Sequence, residues 1–106
     1  MIRIIAGPCQ HEGLEHSLEI AKHCKDVCDK YGAEYYFKAS FDKANRSSIS
    51  GKRGKGFAIT LTDFEDIKEQ TGVRILTDVH TIEHIHDIHH YYDNVIDVIQ
   101  IPAFLC

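Results

Sequence analysis

Residues 37–49 read FKASFDKANRSSI. Seven of these thirteen positions (Lys38, Ser40, Lys43, Asn45, Arg46, Ser47 and Ser48) are cations or small hydrogen-bond donors, against one acid, Asp42. An apolar run, Tyr35-Tyr36-Phe37, leads into them. The pattern predicts a buried strand whose C-terminal end opens into a basic, donor-rich loop. Lysine supplies charge, arginine adds a planar fork that matches phosphate oxygens, and serine and asparagine complete an oxygen-binding shell. On residue chemistry alone, the stretch binds a ligand bearing phosphate or carboxylate oxygens.

Working outward, strand and helix patterns alternate. Residues 2–6 form a short apolar run ended by Gly7-Pro8 and predict a buried parallel strand. Residues 14–29 have helical period, with Leu14, Leu18, Ala21, Cys24 and Cys28 on one face, and Gly32 follows as a breaker. Residues 33–41 are the second strand. The loop after it runs through Ser50, Gly51, Gly54 and Gly56, and loops of that length are usually functional. Residues 57–71 predict a helix with Leu61, Phe64 and Ile67 on one side. Residues 73–79 predict a strand, 81–92 a histidine-rich helix, and 95–101 a fourth strand stopped by Pro102. This alternation predicts an α/β fold of parallel strands with right-handed crossovers. Four strands and three helices make the first half, about four βα units, of a TIM (β/α)8 barrel, which in full needs about 250 residues. Residues 1–106 are expected to be the N-terminal part of one barrel domain, truncated after its fourth strand.

Composition narrows the function. The chain has 106 residues, 43% of them hydrophobic, and a formal charge of −4, which suits one domain or part of one. No broad basic stripe points to nucleic acid. No apolar run approaches a membrane span and no signal peptide is evident, so a cytoplasmic location is the expectation. Cys9, Cys24, Cys28 and Cys106 lack C-x-x-C spacing and read as reduced thiols.

The basic run resembles the hallmark segment of the 3-deoxy-D-manno-octulosonate 8-phosphate synthase family. Matching blocks stand at Ala6-Gly7-Pro8-Cys9, at Leu76-Thr77-Asp78-Val79-His80 and at residues 99–106, IQIPAFLC. The related synthases acting on erythrose 4-phosphate share the fold, but usually carry a Lys-Pro-Arg-Thr type loop where this chain has residues 43–48, KANRSS. The resemblance implies a transferase that condenses phosphoenolpyruvate with arabinose 5-phosphate and water, releasing phosphate, in lipopolysaccharide precursor synthesis. It also implies a homo-oligomer, a tetramer in the family.

The same resemblance assigns roles. Lys38 and Lys43 would hold the phosphate and carboxylate of phosphoenolpyruvate. Asn45, Arg46 and Ser47 would grip arabinose 5-phosphate. Asp78 and His80 would stand beside the reacting carbons, with Gln100, Pro102 and Ala103 completing the wall. Lys43, Asn45, Asp78 and His80 are the catalytic candidates. Cys9 places the chain with the metal-dependent branch, implying a divalent metal (zinc, iron or manganese) whose other ligands lie in the absent half; Glu12 fits the family pattern too. Ser50 and Lys55 depart from it, where histidine and proline are common.

Blander readings stand beside these. Two lysines can be solvated surface residues, Asn45 can serve a polar turn, a lone cysteine is often a small hydrophobe, and Asp-x-His can be a helix cap. His84, His86, His89 and His90 share one segment, and His86 with His90 has the i, i+4 spacing of a helical metal pair. No third ligand stands at a matching interval, so a solvated helix is expected, with His89 at the core edge beside Ile82, Ile85 and Tyr92. Cys24 and Cys28 share that spacing but are expected in the core. Two rival functions follow: an inactive truncated remnant that only binds phosphorylated ligands, or a histidine-rich metal-binding protein.

Overall fold

The computed structural model describes residues 1–41 and 56–105. Over them run β1 (Arg3–Gln10), α1 (Leu14–Tyr31), β2 (Glu34–Ser40), α2 (Phe57–Thr71), β3 (Arg74–Asp78), α3 (Ile82–Tyr91), β4 (Val98–Gln100) and a 3-10 turn, Ala103–Leu105. All paired strands are parallel and lie in chain order, β1-β2-β3-β4. Parallel neighbours cannot be joined by a hairpin, so α1, α2 and α3 serve as the crossovers. The result is an α/β arrangement consistent with the N-terminal half of a TIM barrel, as the alternation predicts.

The pleat of β2 sorts the two faces of the sheet. Tyr35, Phe37 and Ala39 join Ala21 and Cys28 of α1, Leu61, Phe64 and Ile67 of α2, Ile75 of β3 and Ile88 of α3 in one apolar core. Phe37 and Phe64 meet edge-to-face at 5.9 Å. Burying each such side chain stabilises the fold by about 1.5–3 kcal/mol, so Phe64→Ala costs about 3–5 kcal/mol. The Tyr35 hydroxyl donates to the Ala6 carbonyl at 2.7 Å, which ties β2 to β1. The opposite face is open at the N-terminal end of the strands. There Arg3 and Arg74 both approach Glu34, at 3.3 and 3.9 Å, and Ile5 is 53% exposed.

Helix ends follow the sequence signals. Gly32 and Gly72 take φ of 71° and 73° beyond α1 and α2, a left-handed turn that other residues resist. Thr81 caps α3 by accepting the His84 amide at 3.2 Å.

Two strands depart from expectation. β1 does not stop at Gly7-Pro8 but continues to Gln10 through a bulge, because pairing with β2 resumes after one extra residue. β4 covers Val98–Gln100 only. Val95 and Ile96 are buried, but both amides donate to the Tyr92 carbonyl at 3.0 Å and so form a turn. Asp97 then locks the entry to β4: its carboxylate accepts Lys68 Nζ at 2.6 Å and the Ile75 amide at 2.8 Å.

Candidate functional site

The C-terminal ends of the strands carry the chemistry, beginning with β1. A Cβ on Gly7 would lie 1.7 Å from the Lys38 carbonyl oxygen, so only glycine lets the two backbones approach there. From Ala6↔Phe37 to Cys9↔Ala39, β1 advances three residues against two on β2. Cys9 sits at this bulge with φ 70° and presents an exposed, free thiol. Pairing with Ser40 places Gln10 level with it, on the open face. Gln10 is buried, and neither its Nε2 nor its Oε1 has a hydrogen-bond partner.

His11 turns the other way, into the helix layer. Its Nδ1 lies 2.7 Å from Ser17 Oγ on α1 and its Nε2 2.7 Å from Asp63 Oδ2 on α2, with the ring against the edge of Phe64. Ser, His and Asp in this order suggest a hydrolytic relay, but Ser17 is wholly buried and no substrate reaches it. The trio is a clamp that fixes the end of β1 against both helices.

Lys38, half-buried on the open face, pairs across to Leu76 and has no ion-pair partner among the described residues. One turn of the pleat further, Asp78 and His80 meet as their spacing predicts, with Oδ2 2.9 Å from Nε2. Asp78 Oδ1 is buried without a partner. His80 packs on Phe41 at 5.1 Å, and its amide donates to His84 Nδ1 at 3.1 Å. That bond leaves Nε2 as the proton-bearing nitrogen of neutral His84, whose ring stacks on Phe57 at 4.7 Å. Gln100 pairs with Asp78 in the sheet and accepts the Val79 amide through its carbonyl at 3.3 Å. Pro102 and Ala103 follow at the short 3-10 turn.

The structure therefore gathers Lys38, Asp78, His80 and Gln100 at one end of the sheet, beside Cys9. Lys43, Asn45, Arg46 and Ser47 lie outside the described residues. No three histidine, cysteine, aspartate or glutamate side chains come together as a metal centre among the described residues, so Cys9 offers at most one ligand there. His86 and His90 stack at 6.5 Å on an exposed flank of α3. His89 is a correction: it is exposed, as is Ile82, because α3 turns Ile88 rather than His89 into the core. Cys28 is buried, and burial pushes its thiol above the usual range, as befits a core residue.

Three features escaped the sequence: the buried Gln10, the His11 clamp and the placement of His84. Gln10 and His11 follow a Gly-Pro that signals a strand's end, so nothing local marks Gln10 as the last strand residue or His11 as turning to the opposite side. Only the bulge reveals it.

Comparison with known proteins adds a family. The profile of the DAHP synthetase I family matches residues 1–106. Among curated proteins, the chain is similar to the 2-dehydro-3-deoxyphosphooctonate aldolase of Dechloromonas aromatica (strain RCB), 50% identical over 103 residues, covering 97% of this chain and 36% of the relative. It is also similar to the proteins of that name from Chelativorans sp. (strain BNC1), 46% identical over 105 residues, 99% of this chain and 37% of the relative, and from Brucella canis, 46% identical over 105 residues, 99% of this chain and 36% of the relative. The chain spans little more than a third of the length of these relatives.

Proposed function

The chain belongs to the DAHP synthetase I family, and from that premise we propose that the protein carrying it condenses phosphoenolpyruvate with arabinose 5-phosphate and water to 3-deoxy-D-manno-octulosonate 8-phosphate and phosphate. The observation that carries this reading is the convergence of Lys38 with the Asp78–His80 pair at the C-terminal end of a parallel sheet. The names of the relatives support the choice of substrates.

In this reaction C3 of phosphoenolpyruvate bonds to the aldehyde carbon of the sugar while water adds at C2. The C2–O bond to phosphate then breaks and phosphate departs. Lys38 sets its ammonium group against the anionic end of phosphoenolpyruvate, where charge is concentrated. Asp78 holds His80 by one oxygen and keeps the other for a hydroxyl or water at the reacting carbons. Fixed donors and charges of this kind lower a barrier mainly by placement and electrostatics. Lys43 is assigned to phosphoenolpyruvate, Asn45, Arg46 and Ser47 to the sugar phosphate, and Gln100, Pro102 and Ala103 to the wall. Cys9 is one thiol ligand for a divalent metal, zinc, iron or manganese, which when bound supplies Lewis acidity toward oxygen. No step here depends on it. The product class places the reaction in lipopolysaccharide precursor synthesis, in the cytoplasm, and the working form is a homo-oligomer.

Calorimetric titration tests the reading. Phosphoenolpyruvate is expected to bind saturably, with affinity lost in Lys38→Ala by about tenfold, the worth of one charged hydrogen bond. Arg46→Ala is expected to weaken arabinose 5-phosphate more than phosphoenolpyruvate. Tighter binding of erythrose 4-phosphate than of arabinose 5-phosphate would overturn the substrate assignment.

A further inference from the structure

The described part of the site holds two sealed polar groups that no protein atom answers. Gln10 is 5% exposed, and both ends of its carboxamide lack a partner. Asp78 gives one oxygen to His80 and leaves Oδ1 buried and unanswered. Native proteins rarely seal such groups without an occupant that completes their hydrogen bonds.

The sheet places these groups in one row. Gln10 pairs with Ser40 across β1 and β2. The β2–β3 register runs Tyr36↔Arg74, Phe37↔Ile75, Lys38↔Leu76. The ladder ends there; continued along the same register by two residues, to the ends of both strands, it brings Ser40 to the level of Asp78. Gln10, Ser40 and Asp78 thus occupy successive strands at the same level on the open face. Strands are spaced about 4.8 Å apart, so the row is roughly 10 Å long.

The row's chemistry selects its ligand. Gln10 offers two N–H donors and a carbonyl acceptor, Ser40 a hydroxyl that does either, and Asp78 Oδ1 an acceptor. A phosphate dianion brings acceptors only. It would satisfy the Gln10 amide, leave the Gln10 carbonyl and Asp78 Oδ1 unanswered, and meet a carboxylate of its own sign. A hydroxyl donates and accepts at one atom, so neighbouring hydroxyls on a carbon chain answer every group in the row. We propose that Gln10, with Ser40 and Asp78 Oδ1, forms a polyol-reading subsite that holds the hydroxyls of the acceptor sugar and so helps to set its specificity. This inference rests on the proposed condensation and adds to it the residue that reads the sugar's carbon chain. Preorganisation supports it, because the next residue, His11, is fixed between Ser17 and Asp63 and allows the β1 end little freedom.

The test is a nitrogen-15 NMR titration of the chain, with the Gln10 side-chain NH2 pair identified by its loss in Gln10→Met. Arabinose 5-phosphate and the neutral polyol arabinitol are expected to shift that pair. Inorganic phosphate and phosphoenolpyruvate are expected to leave it in place. Gln10→Met should raise the Kd for arabinose 5-phosphate about 3- to 10-fold, the loss of a neutral hydrogen bond, with the Kd for inorganic phosphate unchanged. Gln10→Asn, which keeps the carboxamide, should recover part of the loss and serves if the methionine variant does not fold. An unchanged Kd in a folded variant overturns the subsite. So does a pair that follows phosphate rather than arabinitol, or one that shows only a bound water undisturbed by sugar. A response to arabinitol without binding of arabinose 5-phosphate would uphold the polyol subsite and remove the proposed reaction.

Discussion

His11 and Asp63 stand 52 residues apart in the chain, yet their side chains meet at 2.7 Å with the imidazole completely buried. Ser17 holds the other ring nitrogen. Removing the carboxylate strands a ring nitrogen that water cannot reach, so Asp63→Leu is expected to destabilise the fold by about 1–3 kcal/mol. Replacing both residues with leucine removes the orphan as well as its partner. The double variant should therefore lose less than the two single changes sum to. Urea denaturation of the four proteins in the cycle measures this coupling, and simple additivity would show that the contact contributes nothing.

Gly7 permits a separation that no other residue allows, since a Cβ there would lie 1.7 Å from the Lys38 carbonyl oxygen. The clash is with backbone, which cannot rotate aside. Gly7→Ala should cost about 3 kcal/mol or more and should displace Lys38 together with the bulge. A Tm within a few degrees of the parent would mean that the strands can part there at little cost.

Tyr35 predicts an alkaline limit to stability. Burial first, and then the Cys24 thiol beside it, push its phenol far above the ordinary value near 10. A raised folded-state value means that the native state retains the proton longer than the unfolded chain does. The stabilisation is therefore complete below about pH 10 and declines as pH rises beyond it, by up to about 1.4 kcal/mol per pH unit. In Tyr35→Phe this component should vanish, leaving a flatter alkaline limb. The variant also loses the bond to Ala6, so at neutral pH it should be less stable by about 1 kcal/mol. Denaturation midpoints from pH 8 to 11 provide the check.

Cys9→Asn separates backbone from ligand chemistry. Cys9 holds φ at 70°, a region that asparagine tolerates better than most residues. The variant should keep or slightly raise the parent Tm and, on the proposed metal assignment, take up less zinc or iron than the parent. Full metal stoichiometry in Cys9→Asn, measured by elemental analysis, would remove Cys9 from the metal assignment.

The sequence discloses most of what is periodic and little of what is not. Leu61, Phe64 and Ile67 repeat at helical spacing and all are wholly buried in α2. Asp78 and His80, two apart, meet because a strand and its extension present alternate residues to one side. The limits of β4 were not legible, since Val95 and Ile96 are as apolar as a strand requires but spend their amides on a turn. Nor does any spacing announce the contacts of His11, whose partners lie 6 and 52 residues away on two helices. His89 misled because the apolar arc of α3 is narrow, and a shift of one residue moves the centre to Ile88.

The extra residue in β1 also acts as a parity switch. With three residues set against two, Gln10 pairs with Ser40 on the open face and His11 enters the helix layer. Pairing the same residues two against two, with no bulge, would shift Gln10 and His11 by one place and exchange them, delivering an imidazole to the open face and a carboxamide to the Phe64 pocket. A change in local pairing alone, with no change of sequence, would thus rewrite both the core and the site. The bulge is therefore as tightly constrained as the identity of any residue within it.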